Sequence, residues 1–164
     1  MGDTLAVAGE LGWSAAGYHL WHNGIDGFDA LRRRHLVPEP PYGQGRVAAD
    51  AGATAMTDVS DGLVADLGHV AEASGVGINV STAALAADRR RRCPQPPPRR
   101  TPTCGHGCSA AGKTHALVAT FPGTPPDGWR VIGTVVDGPR AGAGRRRRSG
   151  TEIRAGSHFS EQSR

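Results

Sequence analysis

Lysine is almost missing from these 164 residues: Lys113 stands alone against eighteen arginines. Aromatic residues make up only 5% of the chain, and there are three cysteines. A surface that binds nucleic acid usually mixes lysine with arginine and interleaves aromatic or polar groups that meet the bases. Here the arginines fall in bare runs at 89–92, 99–100 and 145–148, which argues against a nucleic-acid partner. Three cysteines are too few for a disulfide framework. No apolar run approaches the length of a membrane span. The start, Met1-Gly2-Asp3-Thr4-Leu5-Ala6, has neither the basic opening nor the long apolar stretch of a secretory signal, and Ala6 breaks the myristoylation pattern. A cytoplasmic protein without a membrane partner is expected.

The charge that is present is divided unevenly. Residues 1–88 carry four arginines against eleven acids, a net of −7, whereas residues 89–164 carry fifteen basic residues against four acids, a net of +11. The overall +4 therefore describes neither part. Residues 4–8 read as a short buried strand, and helices are expected over residues 14–22, 29–35 and 45–51. The first of these presents Ala15, Tyr18, Leu20 and Trp21 as its inner face. Pro38-Glu39-Pro40-Pro41 forces an extended segment between the second and third helices. Residues 53–59 form a strand candidate, and a helix capped by Ser60 or Asp61 follows to about Ser74. Its apolar stripe is Leu63, Val64, Leu67, Val70 and Ala71, with Asp66, His69 and Glu72 opposite. Residues 76–80, 115–121 and 129–136 complete the strands.

Between and after these strands the pattern fails. Residues 89–114 hold six arginines, five prolines and all three cysteines, without apolar periodicity. They read as a disordered stretch or as out-of-frame translation of a G+C-rich gene, and residues 139–164 as a disordered tail. Within them, the run from Gly107 to Thr114 matches a phosphate-binding P-loop letter for letter. A true P-loop follows a buried strand and opens a helix. This one follows Thr101-Pro102-Thr103 and leads into a strand. Cys93, Cys104, Cys108 and His106 lack the two tight pairs of a structural zinc site.

The run Asp58-Val59-Ser60-Asp61-Gly62-Leu63 carries more weight. It lies where a strand hands over to a helix, a place whose free amides and helix dipole favour phosphate. Two carboxylates around such a turn are hard oxygen ligands suited to magnesium, which binds through one or two carboxylates plus substrate phosphates. Ser60 is placed to hydrogen-bond a nucleotide.

Several segments together resemble the thiamine-monophosphate kinases. These are residues 2–12, Ser14-Ala15-Ala16-Gly17, Pro38-Glu39-Pro40-Pro41, residues 53–63 and 66–76, and the later strands at 115–121 and 129–133. The resemblance covers residues 2–88 and 115–138. It implies an α+β fold, the C-terminal domain of the aminoimidazole ribonucleotide synthetase-like superfamily, with a mixed sheet and packed helices. It also implies ATP-dependent phosphorylation of thiamine phosphate to thiamine diphosphate, with Mg2+ held by Asp58 and Asp61 and the nucleotide contacted by Ser60. No substrate-binding residue is assigned. In that family an N-terminal domain supplies the homodimer contacts and most of the nucleotide site. This chain begins where the family's C-terminal domain begins, so the N-terminal domain is expected to be absent and the fragment inactive alone. The family's Thr-Gly-Gly-Glu-Asp motif is replaced here by Ala110-Ala111-Gly112-Lys113-Thr114. The alternatives are a P-loop NTPase centred on Lys113 and a non-catalytic arginine-rich module that binds nucleic acid.

Overall fold

The computed structural model describes residues 2–92, 115–138 and 151–154. The P-loop-like run, all three cysteines, His106, and the arginine runs at 99–100 and 145–148 lie outside the described residues.

The elements run β1 (Thr4–Ala8), α1 (Trp13–His22), α2 (Asp29–Leu36), α3 (Gln44–Asp50), β2 (Ala55–Val59), α4 (Leu63–Ser74), β3 (Val76–Val80), α5 (Thr82–Arg92), β4 (Ala116–Phe121), β5 (Arg130–Asp137) and β6 (Thr151–Arg154). Among the described residues, six strands form one sheet in the order β2-β4-β1-β5-β3-β6. Every pairing is antiparallel, so the sheet expected to be mixed contains no adjacent parallel pair among the described strands. The α+β class holds. The strand–helix–strand unit β2-α4-β3 is therefore a long crossover. Its two strands run in the same direction but are separated by β4, β1 and β5.

That crossover explains the main core. Helix α4 lies across one face of the sheet and buries Leu63, Leu67 and Ala71 against Leu5, Val7, Val118 and Ile132 of the strands it bridges. Leu85 of α5 packs onto the same cluster. The opposite face carries α3, where Ala48 meets Ala6, Ala8, Ala119, Phe121 and Trp129. The Phe121 and Trp129 rings sit edge to face at 5.4 Å, the geometry that aromatic quadrupoles favour. Strand β1 is apolar on both faces because it is covered on both. This is why its sequence reads as a continuous run. Its pairing with β5 shifts register between Leu5 and Ala6, with Leu5 opposite Gly133 and Ala6 opposite Val131.

Helices α1 and α2 form a hairpin whose contact differs from the expected one. The buried residues of α1 are Ser14, Gly17 and Leu20, while Tyr18 and Trp21 are exposed. Glycine is the reason: a Cβ on Gly17 would lie 2.0 Å from the Leu31 carbonyl oxygen, so the two helices meet where a side chain is missing. Tyr18 instead stacks with His22 and meets His35 edge-on at 5.2 Å. Two further elements appear where none was expected. Helix α5 continues through Arg89–Arg92, and β6 adds an edge strand to β3. The alanine-rich start of α5 has high helix propensity, and its arginines are also good helix formers. The hydroxyl of Ser81 receives the Ala84 amide at its beginning.

Candidate active site

Strand β2 forms one edge of the sheet, and its alternation places the candidate residues. Val59 turns into the core at 1% exposure, while Met56 and Asp58 are exposed. Ser60, two residues beyond Asp58, falls on Asp58's side. Both line a cavity of about 630 Å3 whose walls include Pro40, Pro41, Tyr42, His115 and Leu117. Asp61 is exposed and adjoins Ser60 in the chain, but it is not among the residues lining this cavity. The structure thus brings Asp58 and Ser60 together and leaves Asp61 outside the cavity lining.

The turn itself is built differently from the sequence expectation. Neither Ser60 nor Asp61 caps α4. The cap position is Gly62, with φ 125° and ψ 144° and no side-chain cap hydrogen bond. That backbone conformation is one only glycine adopts readily. The Ser60 and Asp61 side chains are thereby released from a helix-capping role. Asp66, expected on the solvent face, is instead 7% exposed. Its Oδ2 accepts the backbone N–H groups of Ser60, Asp61 and Gly62 at 3.1, 3.2 and 3.1 Å. Position 66 sits in the first turn of α4, so its side chain folds back over the approach to the helix. The signal was present in the sequence as an acid four residues after Gly62, but a helical-face count assigns it to water.

The consequence is chemical. A phosphate-binding loop keeps its amides free for the ligand, whereas the amides of residues 60–62 are already satisfied by a carboxylate. The polar groups left unengaged by that carboxylate are the Ser60 hydroxyl and the side chains of Asp58 and Asp61. Among the described residues, no group of three or more His, Cys, Asp or Glu side chains is arranged to hold a metal ion. Asp58 and Asp61 are therefore the acids available at the turn. Two exposed oxygen donors fit magnesium, which completes its shell with water and substrate phosphates, and do not fit a closed structural zinc site.

The far wall of the cavity is fixed by ion pairs and close contacts. Arg34 of α2 pairs with Glu10 at 3.1 Å and also with Glu39, tying the proline segment to the end of β1. Gly9, with φ 90°, passes against that segment and the start of β4. A Cβ there would lie 3.0 Å from the His115 carbonyl oxygen and 3.2 Å from Pro41 Cδ. The Gly9 carbonyl accepts a hydrogen bond from the Arg130 guanidinium.

An α+β domain with an antiparallel sheet, a long helical crossover and an acidic turn at the sheet edge defines the class. Residues 1–145 match the family described as AIR synthase related protein, C-terminal domain, and the chain belongs to that family. It is similar to the thiamine-monophosphate kinase of Mycobacterium tuberculosis (strain ATCC 25618 / H37Rv), with 60% identity over 138 residues, covering 84% of this chain and 41% of that relative. Among solved structures, the thiamine monophosphate kinase from Aquifex aeolicus superposes with a TM-score of 0.69 at 29% identity, covering 84% of this chain and 49% of that one. A related structure, AaThiL complexed with AMPPCP and TMP, gives a TM-score of 0.67 at 28% identity, covering 84% and 46%. The chain thus spans less than half the length of these relatives. Among the described residues no helix is long and apolar enough to cross a membrane.

Proposed function

We propose that this chain contributes the C-terminal part of a cytoplasmic thiamine-phosphate kinase, a phosphotransferase that uses ATP to convert thiamine phosphate to thiamine diphosphate. The observation that carries the reading is the Asp58–Ser60 pair on one cavity wall, its turn pinned by Asp66. The 60% identity to a thiamine-monophosphate kinase and the AMPPCP and TMP bound in a related fold support it. Phosphoryl transfer asks little covalent chemistry of a protein; it asks for position and for neutralisation of phosphate charge. Magnesium supplies that neutralisation when bound. Asp58 and Asp61 hold it at the turn, Ser60 donates its hydroxyl to a nucleotide phosphate, and Asp66 keeps the three backbone positions in register. The remaining length of the relatives corresponds to an N-terminal domain that completes the nucleotide site and forms a homodimer, and turnover requires it.

Calorimetric titration of the chain with AMPPCP in the presence of Mg2+ tests this reading. Binding is expected to require the metal and to be abolished in Asp58→Asn and strongly weakened in Asp61→Asn. Binding that survives both substitutions together, or that is lost in Lys113→Ala instead, overturns it. Affinity for DNA that falls steeply with salt and is indifferent to Asp58 and Asp61 would favour the arginine-rich alternative.

A further inference from the structure

The rest of the lining of the cavity that contains Asp58 and Ser60 has different chemistry. Pro40, Pro41, Ala116 and Leu117 make it apolar, and Tyr42 and His115 add two rings. At about 630 Å3 it is within the range of small-molecule sites, roughly 300–1,000 Å3. It is too large to serve only a hydrated ion between two side chains.

Tyr42 is the unusual member. It is 86% exposed, although a tyrosine ring normally buries its apolar body and leaves only the hydroxyl wet. The exposure does not come from a loose loop tip. The Tyr42 amide donates to the Pro40 carbonyl at 2.8 Å and the Gln44 amide to the Pro41 carbonyl at 3.1 Å. Two consecutive prolines fix φ immediately before it. Arg34 anchors the segment through Glu39, and Pro41 abuts Gly9. Among the described residues the Tyr42 ring stacks on no other ring. The fold therefore holds a bare aromatic face, pre-organised, in the wall of a cavity that Asp58 and Ser60 also line.

We propose that this recess is the subsite for the flat heteroaromatic end of a phosphorylated substrate, with Tyr42 as the stacking residue and Pro40, Pro41 and Leu117 as the apolar floor. The proposal rests on the kinase reading, which places phosphate and metal at Asp58 and Ser60. A heteroaromatic ring joined to phosphate by a short linker meets an aromatic face and a phosphate-facing pair within one such cavity. Both substrates of that reaction have this chemistry: adenine in ATP, and the pyrimidine and cationic thiazolium rings of thiamine phosphate. A tyrosine face accepts either, by stacking or by attraction to the cation.

The test is calorimetric titration of the full chain and of Tyr42→Ala and Tyr42→Phe, once with AMPPCP plus Mg2+ and once with thiamine phosphate. Aromatic stacking on a base is lost on truncation to alanine, so Tyr42→Ala is expected to raise Kd roughly five-fold or more. Tyr42→Phe, which keeps the ring, stays within about two-fold of the parent. The ligand that is weakened identifies the ring: AMPPCP assigns adenine, thiamine phosphate assigns the thiamine rings, and loss of both assigns a recess shared between them. Because the side chain is exposed, thermal unfolding of both variants should match the parent. If the parent binds and Tyr42→Ala binds equally well, the subsite is overturned while the kinase reading stands. If Tyr42→Phe is as weak as Tyr42→Ala, the hydroxyl rather than the ring makes the contact, and stacking is refuted. If the parent binds neither ligand, the kinase reading fails and the subsite falls with it.

Discussion

Substituting Asp66 separates two roles that acids play around one turn. In Asp66→Ala three backbone N–H groups lose their shared acceptor. Ser60 and Asp61 are exposed while Gly62 is buried, so water replaces the carboxylate at the first two and not at the third. A buried amide left without a partner costs about 1–3 kcal/mol, and the two exposed ones add a net loss of about 1 kcal/mol between them. The expected destabilisation is therefore about 2–4 kcal/mol. In Asp66→Asn the side-chain carbonyl still accepts, but without charge. Charge-assisted hydrogen bonds are about twice as strong as neutral ones, so the expected loss is about 1–2 kcal/mol. For a domain of this size that lowers Tm by about 2–8 °C. Asp58→Asn, on an exposed position, should shift stability by no more than about 0.5 kcal/mol. The assay is urea unfolding followed by far-ultraviolet circular dichroism, paired with the titration of AMPPCP and Mg2+ at a temperature where every variant is folded. The expected pattern is loss of ligand in all three variants, with loss of stability confined to position 66. An Asp66→Ala variant that unfolds within about 0.5 kcal/mol of the parent would refute the claim that this carboxylate holds the turn.

Two glycine substitutions should move stability in opposite directions. Gly17→Ala places a Cβ 2.0 Å from the Leu31 carbonyl oxygen, so the α1–α2 hairpin must open, and thermal unfolding should report a loss of about 1–3 kcal/mol or more. Gly68→Ala, inside α4 with nothing within 4 Å of the added atom, should stabilise by about 0.5–1 kcal/mol in the same assay.

Much of the domain was legible in the chain because its elements obey simple periodicities. Leu63, Leu67 and Ala71 recur at helical spacing and form the buried stripe of α4. The runs in β1, β4 and β5 are apolar enough to be recognised as strands. What escaped depends on contacts between distant residues. Of the expected inner face of α1, Leu20 is buried but Tyr18 and Trp21 are exposed, because the helix approaches α2 through Gly17, and periodicity rules reward apolar bulk rather than its absence. Asp66 was assigned to water because a wheel records angle and not reach, and from the first turn its carboxylate reaches back to Ser60. The pairing of Asp58 with Ser60 was half legible. The turn was recognised, but a helix cap was assigned to side chains that the backbone of Gly62 had made unnecessary. Tyr42 carried no motif, and only the fold brings it beside Asp58.

The strand order has a consequence for how the chain comes into being. Each of β1, β2 and β3 pairs only with β4, β5 or β6, and no two described strands from the same half touch. A growing polypeptide that has reached residue 114 thus possesses three strands of this sheet and not one of its ladders. Helices can form as they emerge, since their contacts are local, but the sheet must wait and then close like a zip whose teeth arrive on separate tapes. Such non-local topologies fold slowly, because chain entropy is spent before any pairing compensates it. By the same logic the two halves are natural complements. Severed between α5 and β4, each would carry the strands the other lacks, and the sheet would become a device for reporting that two separately made pieces have met.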